Sequence, residues 1–185
     1  MTHQIPSDAE LMARLARGDV SAIGELAHRH QGRVLELAFR TLGHWDLAED
    51  IAQETFLRVY RAAKTYQPQA KFTTWLYRIV VNLCLDEQRR RAKAAVPLEA
   101  VAPEGLSALQ ANPAGKRELA ELVRAAVQEL PERQSLVVVL HRYDALSHTE
   151  ISEVTGWSES AVESLLVRAY ANLREKLAKL KDFVE

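Results

Sequence analysis

Along most of this chain apolar residues recur every three or four positions, the spacing that lines one face of a helix. The stretch SDAELMARLARG opens on Ser7, whose hydroxyl can cap free backbone N–H groups, has Glu10 placed to reach back, and closes at Gly18. Helices are predicted over 20–30 and 32–42, with Gly43 as a stop. In HWDLAEDIAQETFLRVYRAAKTY the apolar positions Leu47, Ile51, Phe56, Val59 and Tyr60 keep close to helical spacing, and Pro68 then interrupts. FTTWLYRIVVNLCLDEQRRRAK predicts one long helix, apolar at Phe72, Leu76, Ile79, Val80 and Leu83. SLVVVLHRY is rich in β-branched residues, but it follows LPERQ, where Pro131 suits a first helical turn. No stretch alternates convincingly with the period of a strand.

The pattern fails between Ala94 and Gly115. AAVPLEAVAPEGLSALQANPAG holds three prolines, two glycines and no basic residue, with only Glu99 and Glu104 charged. Such a stretch is a poor helix and reads as a flexible linker. The prediction is an all-α chain of two small helical domains, 1–93 and 116–185, joined by a linker over 94–115.

Composition narrows the possibilities. A chain of 185 residues, 48% apolar and 26% charged, belongs with folded proteins. Its formal charge of −1 is not that of a protein that grips DNA by phosphate contacts alone. The one cysteine, Cys84, lies in the apolar run IVVNLCL and reads as a buried small side chain. The start of the sequence has no apolar signal region, and no run approaches the length of a membrane span, so a cytoplasmic chain without direct membrane insertion is expected. No P-loop or HExxH is present, and His28 and His30 point to different helix faces, so neither a cofactor nor a metal is expected.

LSHTEISEVTGWSESAVESLL fits a helix-turn-helix. Ser147 can cap a short helix with Glu150 reaching back, while Ile151 and Val154 face inward. Gly156 allows a left-handed turn and Trp157 plugs it. Ser158 then caps a second helix that packs through Ala161, Val162 and Leu165. Its outward face carries Glu159, Ser160, Glu163, Ser164, Val167 and Arg168, a set that can read bases. It is a weak phosphate binder: Asp144 to Tyr170 holds five acids and one base, a net of −4.

The N-terminal block has the opposite balance at its end. Asp46, Glu49, Asp50, Gln53 and Glu54 crowd the start of one helix, where they favour its dipole and can also form a docking face. Lys64 to Lys93 then holds seven bases and two acids, a net of +5, interleaved with Tyr66, Phe72, Trp75 and Tyr77. Rings among cations suit unstacked nucleic acid, since bases stack on the rings while the cations follow phosphates.

DLAEDIAQETFLRVYRA followed by KFTTWLYRIVVNLCLDEQRRR resembles region 2 of bacterial RNA polymerase sigma factors, and LPERQSLVVVLHRYDALSHTEISEVTGWSESAVESLLVRA resembles region 4. Two regions with a short linker are similar to the extracytoplasmic-function (ECF) group. The resemblance implies that Asp50, Gln53, Glu54 and Phe56 dock on the β′ clamp helices of core RNA polymerase. It implies that the loop KTYQPQAK captures a base flipped from the promoter −10 element, with Tyr66 and Asn82 chosen for its pocket. Lys71, Trp75, Arg78, Arg89 and Arg90 would melt or hold the strand. Leu136, Val139 and Leu140 would meet the β flap, and Glu163, Ser164, Val167 and Arg168 would read the −35 element. An anti-sigma factor, membrane-anchored in many members, would restrain the chain and hold it at the inner membrane. Many relatives carry a basic residue where this chain has Glu163, Leu165 and Tyr170, which puts the usual −35 preference in doubt. An acidic reading helix still makes sense on polymerase, because two weak DNA sites on one tether reinforce each other. A stand-alone helix-turn-helix regulator, a helical enzyme, and a decoy that binds polymerase without a promoter are the other classes open to the sequence.

Overall fold

The computed structural model describes residues 5–68, 71–94 and 114–181. The described residues form eight helices and no strand: α1 (Asp8–Ala16), α2 (Ser21–Leu42), α3 (Trp45–Ala62), α4 (Phe72–Ala94), α5 (Ala114–Gln128), α6 (Glu132–Arg142), α7 (His148–Thr155) and α8 (Glu159–Lys181). The all-α expectation therefore holds among these residues. The ends of the expected linker, Ala94 and Ala114–Gly115, are helical, while the rest of it lies outside the described residues.

Local chemistry sets the helix ends. In α1 the Glu10 amide donates to Ser7 Oγ at 3.3 Å and the Ser7 amide donates to the Glu10 carboxylate at 2.6 Å, satisfying two free donors at once. These bonds hold the Glu10 carboxyl below its ordinary range. Where two helices were predicted over 20–42 there is one, α2, which runs unbroken through Gln31 and Gly32. The polar stretch around His30 is not a break, because the buried positions Leu26, Val34 and Leu37 stay in helical register across it. Gly43 then ends α2 at φ 76°, a left-handed conformation that costs glycine nothing.

α1 to α4 enclose Leu11, Met12, Leu26, Val34, Leu37, Val59, Leu76, Val80 and Val81, none more than 1% exposed. Cys84 joins this core, fully buried, and burial pushes its thiol up to about 12. In the other half α6 is the central helix: α2, α5, α7 and α8 all pack on it. Every residue from Ser135 to Leu140 is buried, as expected of a helix with apolar residues all round.

The two halves share this interior. α2 packs on both α5 and α6, and α4 packs on α7. Across the seam the Arg40 guanidinium stacks over the Tyr143 ring at 4.0 Å. The Tyr77 hydroxyl donates to Asp144 Oδ1 at 3.2 Å, and Arg78 donates twice, at 2.6 and 3.1 Å, to the Glu153 carbonyl.

Candidate nucleic-acid and polymerase interfaces

The helix-turn-helix of α7 and α8 is built from local bonds. Ser147 and Glu150 form the same reciprocal cap as Ser7 and Glu10. Gly156 turns the chain at φ 74°, and the Ser152 hydroxyl donates to the Trp157 carbonyl at 2.6 Å, which fixes the angle between the helices. Arg133 lies over the Trp157 ring at 5.1 Å, so α6 holds the turn from below. Ser158 Oγ accepts from the Ala161 amide at 3.2 Å and starts α8. Val162, Leu166 and Ala169 are buried, which turns Glu163, Ser164, Val167 and Arg168 outward together, with Val167 65% exposed. These four residues form one strip of α8, facing solvent and free of cations except at Arg168.

On α4 the exposed residues Arg78, Asn82, Asp86 and Arg89 recur at helical spacing and share a face. The basic run beyond them is paired with its own surroundings. Arg89 meets Asp86 at 3.2 Å, Arg90 meets Glu87 at 2.7 Å, and Arg91 donates to His44 at 3.0 Å. The Arg89–Asp86 pair is exposed on both sides and contributes about 1 kcal/mol or less, so Arg89 can exchange carboxylate for phosphate at little cost, whereas Arg90 is held on the largely covered Glu87 side chain.

Tyr66 is half-buried: its ring packs 4.9 Å from Trp75 and 6.1 Å from Phe72, centroid to centroid, and burial raises its phenol above the ordinary range. Trp75 is itself half-buried in this aromatic group, which also includes His30 against Phe72. Asn82 stands seven residues beyond Trp75, about 10 Å along α4. Gln69 and Ala70 of the loop KTYQPQAK lie outside the described residues.

α3 presents Asp50 and Gln53 to solvent, with Glu54 tied to Arg58 at 2.8 Å. Phe56 is half-buried against the core, and the apolar residues on the open side are Leu57, 41% exposed, and Tyr60, 47% exposed. Sequence reasoning counted Tyr60 in the apolar stripe with Val59 and did not single out Leu57, although Gln53, Leu57 and Tyr60 stand at i, i+4 and i+7 and so share one face.

One expectation is corrected. Leu136, Val139 and Leu140, expected to offer an apolar surface, are 0% exposed. They fill the centre of the second half because α6 is covered on all sides by α2, α5, α7 and α8. No three metal-binding side chains come together among the described residues, and no described helix is long and apolar enough to cross a membrane.

Residues 26–94 match the family described as Sigma-70 region 2, and residues 120–173 match Sigma-70, region 4. The chain is 35% identical over 175 residues to the ECF RNA polymerase sigma factor SigM of Mycobacterium tuberculosis, covering 94% of this chain and 86% of that one. It belongs to the ECF RNA polymerase sigma factors. It is also 37% identical over 173 residues to SigE of Mycolicibacterium smegmatis, covering 89% of this chain and 66% of that one. Among solved structures it is similar to CnrH in complex with the cytosolic domain of CnrY, with a TM-score of 0.68 at 29% identity, covering 94% of this chain and 99% of that one. As an ECF sigma factor the chain is an initiation factor for transcription and not an enzyme. The region 2 match spans α3 and α4, the acidic and the cation-bearing helices, and the region 4 match spans the helix-turn-helix.

Proposed function

We propose that this sigma factor docks on core RNA polymerase through α3, holds the melted −10 strand on α4 and reads the −35 element with α8. The observation that carries this reading is the separation of three unlike exposed faces on one chain. They are an acidic face with apolar residues on α3, a face bearing Arg78, Asn82 and Arg89 on α4, and the Glu163–Arg168 strip on α8. The first would meet the β′ clamp helices through Asp50, Gln53 and Glu54, with Leu57 and Tyr60 supplying apolar contact. Phe56 would support this face from below. A base flipped from the −10 element would stack on the Tyr66–Trp75 group while Lys71, Arg78, Arg89 and Arg90 take phosphates. Unstacking a base costs a few kcal/mol, which the rings must repay. On α8, Glu163 would accept from a cytosine amino group and Arg168 would take guanine or a phosphate.

Restraint by an anti-sigma factor belongs to the same reading. The solved relative CnrH is in complex with the cytosolic domain of CnrY, and an anti-sigma factor anchored in the membrane would hold this chain at the membrane surface.

Run-off transcription on a genomic promoter pool, with purified chain and core polymerase together and apart, tests the proposal. Transcripts from a discrete promoter set only when both are present support it. Tight, specific binding by the chain alone without polymerase-dependent initiation would make it a conventional regulator. For the docking face, Leu57→Arg should weaken affinity for core polymerase about tenfold, because a buried anchor is replaced by an unpaired charge. The melting temperature should move little, since Leu57 is 41% exposed and stands on the open side of α3. Unchanged affinity in a titration with labelled core would remove Leu57 from the interface.

A further inference from the structure

His141, His148 and Tyr170 come from three helices, α6, α7 and α8, and meet at one place on the surface. The two imidazole rings stand 5.6 Å apart, centroid to centroid. Tyr170 Oη lies 3.1 Å from Nδ1 of His141, and no hydrogen bond from the described residues reaches Nε2 of His141 or either ring nitrogen of His148. His148 and Tyr170 are exposed and His141 is half-buried, so the group is open to solvent. The loop between α6 and α7 holds the rings in register: the Leu146 amide donates to the Leu140 carbonyl at 3.1 Å, and the Asp144 amide to the Val139 carbonyl at 3.3 Å. Between them Ala145 takes φ 54°, the one non-glycine residue at positive φ among the described residues. That conformation is costly for alanine, and such costs gather where a loop must hold functional groups in place.

Two imidazoles at this separation fit one metal ion. Zinc binds histidine nitrogen at about 2.0–2.1 Å, so each ring centroid would lie about 3.2 Å from the ion, and a tetrahedral angle sets the centroids about 5.2 Å apart. Opening that angle to about 120° reaches the observed 5.6 Å. The Tyr170 bond supplies what a ligating histidine needs from a neighbour. With the Nδ1 proton donated to the phenol oxygen, Nε2 of His141 keeps its lone pair and the ring keeps its orientation. Zinc, nickel and copper suit such nitrogen sites, whereas magnesium and calcium prefer oxygen. Seven residues apart and on different helices, the two histidines leave no metal-binding spacing in the sequence.

We propose that His141 and His148 form a two-imidazole site for a divalent transition metal ion of the zinc class, whose open positions take water or a phosphate oxygen of the −35 backbone. The phosphate contact rests on the reading of α8 as the −35 helix. Tyr170 follows Glu163 by seven residues and Val167 by three, so it continues their face and the ion sits at the end of the reading strip. The segment from Asp144 to Tyr170 has a net charge of −4 and one cation, Arg168. An ion of charge +2 halves that net charge where the phosphates approach. With two protein ligands, where a closed structural site has four, the ion keeps positions free for DNA.

Zn²⁺ binding to the full chain is measured by competition with a chromophoric chelator at pH 7.5, for the parent and for the double variant His141→Ala, His148→Ala. Tyr170→Phe keeps both imidazoles and removes only the hydroxyl that steadies one of them. Promoter affinity is measured for holoenzyme assembled from each chain and core polymerase, with Mg²⁺ alone and with added Zn²⁺. The DNA is a promoter mapped by run-off transcription, and a copy with its −35 element scrambled is the control.

The parent should bind one equivalent of Zn²⁺ more than the double variant, and Tyr170→Phe should bind that equivalent about tenfold more weakly. Added Zn²⁺ should raise the promoter affinity of parent holoenzyme at least about threefold and leave that of the double variant unchanged. Equal zinc stoichiometry in the parent and the double variant would overturn the site. One extra equivalent with no gain in promoter affinity over the double variant would make the pair an adventitious surface chelate, which overturns the proposal while leaving the α8 reading intact. If parent holoenzyme binds the scrambled promoter as tightly as the native one, the α8 reading itself fails and the phosphate contact falls with it, while the zinc count still decides the metal site.

Discussion

A Leu140→Ala chain should be less stable than the parent by about 2–5 kcal/mol, the usual range for emptying a buried leucine site. Leu140 is 0% exposed on a helix whose residues from Ser135 to Leu140 are all buried, so little room exists for its neighbours to relax into the gap. Urea denaturation followed by circular dichroism measures the change directly. The result also decides between two roles. A residue that merely waits on the surface for the β flap would cost within about 0.5 kcal/mol on truncation. A shift of that small size would return Leu136, Val139 and Leu140 to the list of docking candidates. The expected large loss places any flap contact of the second half on residues outside this trio, or on an α6 side uncovered only when α2 moves away.

The second large effect is a pH dependence of the seam between the two halves, closed where Tyr77 meets Asp144 and open where the halves part. Burial raises the Asp144 carboxyl from 3.8 to about 6, against the Tyr77 hydrogen bond that lowers it. The charged and titratable groups acting on it are Tyr77 on α4 and Arg33, Glu36 and Arg40 on α2, with Glu36 raising its pKa and the two arginines lowering it. The closed form therefore holds a proton that the open form has lost between about pH 4 and about pH 6. The linkage relation then gives the sign: closure is strongest below the open-state value and weakens as pH rises through the closed-state value. Discounted for the partial exposure of Asp144, the span is about 1–2 kcal/mol, a change of roughly tenfold in the ratio of closed to open. A donor–acceptor dye pair at Val20→Cys in the α1–α2 turn and Arg174→Cys on α8 should report a longer mean distance between the halves at pH 7.5 than at pH 5. In Asp144→Asn that dependence should flatten. An Asp144→Asn chain that opens over the same interval as the parent would assign the switch to other groups.

The parts of this protein that were legible in its sequence are those held by bonds between near neighbours. Ser7 with Glu10, Ser147 with Glu150, Gly43 and Gly156 each act within a single helix end, and each carries a residue type chosen for that job. The outward strip of α8 followed in the same way from the inward residues Val162 and Leu165. The misreadings arose where tertiary burial decides. The polar run around Gln31 resembles a helix break until His30 is seen bonded to Asp8 at 2.9 Å and stacked near Phe72. The run from Leu136 to Leu140 signals an interior helix because it is apolar on every side, whereas a docking surface would leave a polar side. The seam was not legible at all. Tyr77 and Asp144 are 67 residues apart and Arg78 and Glu153 are 75 apart, and such pairs leave no period in the chain. Only the opposite charge of the two segments hinted that they could meet.

Cys84 gives this chain a built-in clock. A thiol reagent attacks only the thiolate, and here the thiol is both fully covered within the shared interior and pushed up to about 12. Modification at pH 8 must therefore wait for α4 to lift from the helices packed on it, and its rate reads the opening of the interior around α4. A partner that braces α4 in place slows the clock.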